Sequence, residues 1–123
     1  MIGLKEYLTE GELTIDASDL EIGHNEPRED KDFEELAGYG DKVFDVYVKN
    51  FGKKAPSSPW SKGMRQGPLE RNLHKIVDTN RLDVHSFAFI HVYVFVRLKG
   101  KKGSKAVDEA KDMYNSKMRT LGQ

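Results

Sequence analysis

The chain predicts an all-α fold, a small helical bundle around one central apolar helix, and three observations carry that expectation. Apolar residues recur at three- and four-residue spacing in several separate stretches, as amphipathic helices require. The segment Val84 to Leu98 is apolar nearly all round and longer than most strands, which suits a helix with neighbours on every side. With 123 residues and no cysteine, one domain has enough chain to bury a core without disulfide or thiolate-metal staples. The alternative is α+β, with 84–98 as a strand, because Phe87-Ala88-Phe89-Ile90-His91-Val92-Tyr93-Val94-Phe95-Val96 is rich in strand formers. A lone long strand would leave both edges unpaired, and the chain offers few others to pair with it.

The first element is a short amphipathic stripe. Met1, Leu4, Tyr7 and Leu8 share one helical face, with Lys5, Glu6 and Glu10 off it. About ten residues are too few to hold a helix alone in water, so the stripe needs a partner surface. Leu8-Thr9-Glu10-Gly11 comes next: a branched aliphatic, any residue, a glutamate and a small residue. That order resembles the site cut by the prohead protease of large T-even-type tailed bacteriophages, where it ends the capsid-targeting leader of internal head proteins. The resemblance covers the leader alone. It implies that residues 1–10 dock on the prohead scaffold and that the protease cuts after Glu10. The folded remainder would then be packaged inside the capsid and injected with the DNA into the host cytoplasm. Such a protein would bind a host protein, disarming defence, or protect phage DNA, and would not act by catalysis. The competing reading makes residues 1–10 a plain first helix packed on the domain.

Residues 11–32 read as an acidic extended arm. Glu12 to Ser18 alternate well enough for a short strand or extended piece, and residues 19–35 carry eight acids against Arg28 and Lys31, broken by Gly23, Asn25 and Pro27. The globular domain is expected over 33–123. Asp32 is placed to cap a first core helix whose stripe is Phe33, Leu36, Ala37, Gly40, Val43, Phe44, Tyr47 and Phe51, stopping near Gly52 despite the cost of Gly38 and Gly40. Residues 52–67 hold two prolines and three glycines and read as a loop, with Trp60 expected to plug the edge of the core. Pro68 opens the next helix in the favoured first position, with Leu69, Leu73, Ile76 and Val77 on one face and an end near Asn80. Asp83 caps the 84–98 segment. Ser104 caps a C-terminal helix carrying Ala106, Val107, Ala110, Met113, Tyr114 and Leu121, ended by Gly122.

The chemistry-bearing residues form no enzyme pattern. His24, His74, His85 and His91 include no pair three or four residues apart and no HExxH or zinc-finger spacing, so neither metal nor other cofactor is expected, and His91 reads as a core histidine. No serine stands in a GxSxG context, and the Glu29-Asp30 and Glu34-Glu35 pairs lie in polar runs that supply no apolar pocket to raise a pKa. Gly100-Lys101-Lys102-Gly103 lacks the Walker spacing. Some leader-bearing cargo of these phages is ADP-ribosyltransferase, but the chain lacks the serine-rich strand and paired glutamates of that class.

The one clustered charge feature is Arg97, Lys99, Lys101, Lys102 and Lys105, with Lys53, Lys54, Lys62, Arg65 and Arg71 as a second set. On a chain with 20 basic and 20 acidic residues, the cluster reads equally as a phosphate or partner contact and as a solubilising loop. It motivates an alternative function, a small helical DNA-associated or regulatory domain. A third reading is a structural or scaffold component acting through its apolar segment. The longest apolar run falls well short of the 18 or so residues that span a bilayer, and no secretory signal is visible, so a soluble protein with no membrane partner is expected.

Overall fold

The computed structural model describes residues 14–22, 25–58 and 67–121. The leader stripe, the Leu8-Thr9-Glu10-Gly11 pattern, His24, Trp60, Lys62, Arg65 and Gly122 lie outside them.

Helix α1 (Asp30–Phe51) starts inside the acidic run, ahead of the expected Phe33. Asp32 is the third residue of the helix and not its cap. Its Oδ2 accepts hydrogen bonds from the backbone N–H groups of Arg28 and Glu29, each at 3.0 Å, satisfying orphan donors from within the first turn. Those two bonds hold the Asp32 carboxyl below the usual carboxylate range. The far end stops at Gly52, whose φ of +88° favours glycine. The arm before α1 lies on the bundle, with Ala17, Ile22 and Pro27 buried. The Glu35 carboxylate accepts the backbone N–H groups of Glu21 and Ile22 at 3.0 and 3.2 Å, so one of the paired acids is occupied as a structural acceptor.

Helix α2 (Pro68–Ile76) has proline at its start, as expected, but ends before Asn80. The chain turns extended at Val77 to form an isolated parallel bridge with Ile15, and only a single 3-10 turn follows at Thr79–Arg81. Tyr39 fastens this junction: its hydroxyl donates to the Ile15 carbonyl and accepts from Asp78 N–H at 3.1 Å. Ile15 N–H donates to the Ile76 carbonyl at 2.8 Å, and Ala17 N–H to the Asp78 carboxylate at 3.2 Å.

The segment 84–98 is a helix, α3 (Val84–Leu98), and the fold is an all-α bundle. Asp83 caps it, its carboxylate accepting His85 N–H at 2.8 Å. Every residue from Phe89 to Val96 is buried, which is possible in a helix only when other elements cover all sides. Helices α1, α2 and α4 (Gly103–Leu121) supply that cover. Among the described residues no helix is long and apolar enough to cross a membrane.

Specific contacts fix the helix directions. Phe33 meets Phe89 with ring centroids 5.0 Å apart, Gly40 meets Tyr93, and Phe44 lies under Arg97, so α1 and α3 run parallel. Tyr114, late in α4, packs edge-on against both Phe33 and Phe89, so α4 runs back. Asn72 donates to the Tyr47 hydroxyl at 3.3 Å while Asp78 bonds Tyr39, so α2 also opposes α1. The order is up, down, up, down.

Gly40 is required by packing. A Cβ there would lie 2.6 Å from Tyr93 Cδ2, and the ring cannot retreat, being buried and tethered through its hydroxyl to Asp41 at 2.6 Å. Gly38, two residues away, has nothing within 4 Å of that position. Gly40→Ala should therefore destabilise by about 1–2 kcal/mol net, overpacking outweighing the gain in helix propensity. Gly38→Ala should stabilise by roughly 0.5–1 kcal/mol. Denaturant titration of the two variants checks the pair.

Burial pushes the hydroxyls of Tyr39, Tyr93 and Tyr114 up to about 12, and for Tyr93 the bond to Asp41 adds to that rise. A phenol with a higher pKa folded than unfolded stabilises fully below the unfolded value of about 10, and that contribution is lost as pH rises through the folded value. Denaturation midpoints should accordingly fall progressively from about pH 10 to pH 12. Replacing Tyr39 with Phe should flatten part of that fall.

Candidate functional site

The parallel register of α1 and α3 carries two separate basic stretches to one end of the bundle. Phe44 is level with Arg97, so the remaining two turns of α1 run about 10 Å further and deliver Lys49, Lys53 and Lys54 to the end where the α3–α4 connection lies. Sequence spacing joined neither Lys49 to this group nor Lys53 and Lys54 to the loop, because the stretches are far apart in the chain.

The connection itself is a fixed turn. Gly100 N–H donates to the Arg97 carbonyl at 2.9 Å and Lys101 N–H to the Val96 carbonyl at 3.2 Å, the paired bonds of a Schellman ending. Gly100 has φ of +100°, a conformation side chains rarely adopt. Lys99, Lys101 and Lys102 on this turn, and Lys105 in the first turn of α4, are all exposed. Lys99 Nζ stands 5.6 Å from the centroid of the Phe95 ring.

Arg97 differs from the lysines it was grouped with. Its guanidinium pairs with the Asp41 carboxylate, which also accepts the Tyr93 hydroxyl, and stacks 4.2 Å from the Phe44 centroid. The side chain is only 17 % exposed. It ties α3 to α1 and neutralises Asp41, leaving the lysines to face solvent. Asp45 on α1 and, one turn into α4, Asp108 and Glu109 are the nearest acids in sequence.

The opposite end is acidic. It carries the start of α1, the arm before it and Asp83 at the start of α3, with shallow surface hollows lined by Glu21, Asp32 and Glu35 and by Glu26 and Glu29. Many of these acids already have partners: Asp30 pairs with Lys111, Glu29 with Lys31, and Asp32 and Glu35 with backbone N–H groups. Burial pushes the Asp83 carboxyl up, but the hydrogen bonds from His85 and its imidazole together hold it below the usual range. The His85 Nδ1 to Asp83 Oδ2 distance is 2.8 Å.

Among the described residues no three histidine or acidic side chains converge as a metal site. His74 lies 3.6 Å from Glu70 on the next turn and stacks on Phe87 at 4.6 Å. His91 is 2 % exposed within the core. The surface hollow beside the end of α4, lined by Asp112, Asn115, Ser116, Met118 and Arg119, is open and collects no set of groups suited to acid–base or nucleophilic work.

The feature with the clearest chemistry is therefore the lysine-bearing end: exposed point charges held on a rigid turn and a helix terminus, able to attract anions by charge without an enclosing pocket. Comparison with family models, curated proteins and solved structures finds no match for this chain.

Proposed function

We propose that the chain is a packaged internal head protein of a tailed bacteriophage. Residues 1–10 serve as a leader that the prohead protease removes after Glu10, and the bundle then acts in the host by binding rather than by catalysis. The pattern Leu8-Thr9-Glu10-Gly11 supports this reading from the sequence. The observation that carries it is the order of features in the sequence: an amphipathic stripe of Met1, Leu4, Tyr7 and Leu8 followed directly by that pattern.

The intact mass of the protein from purified mature particles tests the proposal. A chain beginning at Gly11 is the expected result, and intact Met1 to Gln123 in mature virions would sink it. In parallel, a truncation starting at Gly11 should match the denaturation midpoint of the full chain. A marked drop in that midpoint would make residues 1–10 an ordinary first helix.

A further inference from the structure

We infer that the lysine-bearing end of the bundle is a nucleic-acid interface that grips the phosphate backbone of duplex DNA without reading its sequence. This deepens the binding reading of the folded domain by naming a partner, and it does not depend on whether the leader is cut.

Three observations carry it. First, two segments that are remote in the chain come to one end: Lys53 and Lys54 just past α1, and Lys99, Lys101 and Lys102 on the α3–α4 turn with Lys105 in the first turn of α4, all exposed. A net-neutral chain has thus concentrated cations at one pole, with Asp41 neutralised by Arg97 beneath them and most other acids at the far pole. Second, the turn is held by its own backbone bonds and by glycine at φ of +100°, so the lysines bind from a preorganised frame and little backbone ordering is needed. Third, among the described residues this end offers little of what a protein partner would need. Protein interfaces are anchored by aromatic, Met and Arg side chains and are poor in lysine. Here Arg97 is already committed within the fold, Phe95 is buried, and the one exposed large hydrophobic among the described residues, Val84, lies at the opposite end. Flexible lysines on a rigid turn suit a regular array of phosphates, where each contact releases counterions.

The test is a fluorescence-anisotropy titration of the full chain against a short mixed-sequence duplex over a range of salt concentrations. If about six phosphates are neutralised, affinity should fall roughly a thousandfold between 50 and 200 mM salt, whatever the sequence. The double variants Lys101→Ala/Lys102→Ala and Lys53→Ala/Lys54→Ala should each reduce the slope of log affinity on log salt by about 2, and Lys31→Ala, at the acidic end, should leave it unchanged. All five positions are exposed, and circular dichroism with a denaturation midpoint checks that each variant keeps its fold. Absence of binding at low salt would overturn the inference. So would unchanged slopes in both double variants, or competition by poly-L-glutamate as effective per charge as by DNA, which would identify an acidic polypeptide as the partner.

Discussion

The structure depends on the contact between α1 and α3 at Gly40. Because that residue has no side chain, the Tyr93 ring lies directly against the α1 backbone, and its hydroxyl reaches Asp41 on the next position. One turn on, Arg97 closes the same carboxylate and covers Phe44. Packing, a hydrogen bond and an ion pair act together along one seam, all with Asp41 as the shared acceptor or neighbour. The seam forces two helices that are not consecutive in the chain to run parallel, and the antiparallel placement of α2 and α4 follows from the turns that join them.

The same seam gives the molecule its charge polarity. In a parallel pair the acidic start of α1 and the Asp83 cap of α3 fall at one end and their basic exits at the other. The opposite alignment would have mixed acids and lysines at both ends, leaving the near-neutral chain without a pole. Polarity matters because global charge excludes nothing here: 20 basic and 20 acidic residues balance, yet a ligand sees the local field. Arg97 illustrates how charge is divided between structure and surface. The residue nearest the core spends its guanidinium holding the helices together, and the lysines beyond it are left to the solvent.

Much of the fold was legible in the sequence because its signals are local. The stripe from Phe33 to Phe51, Pro68 at a first helical position and Asp83 as a cap each announce an element through chemistry within a few residues. A helix over 84–98 is legible from its length and from the scarcity of other segments that could pair with it as a sheet. What escaped the sequence is non-local. Gly40 reads as a weak point in a helix until Tyr93 is placed against it. Asp32 resembles a cap and instead reaches back from the third residue, a difference of one turn that local pattern cannot resolve. Helix α2 ends short of Asn80 because the bridge between Ile15 and Val77 draws the chain into an extended path, and Ile15 lies remote in sequence. The basic loop was visible as a run of lysines, but its union with Lys53 and Lys54, and the withdrawal of Arg97 from it, exist only once α1 and α3 are aligned.

The alignment of α1 and α3 is open to direct measurement through nuclear Overhauser contacts in the full chain. The account predicts cross-peaks between the Gly40 α-protons and the Tyr93 ring, between Phe44 and the Arg97 side chain, and between the rings of Phe33 and Phe89. Cross-peaks from Phe89 to Phe44 and from Arg97 to Phe33 in their place would mean that the two helices run antiparallel. That result would dissolve the seam, the polarity and the lysine-bearing end together.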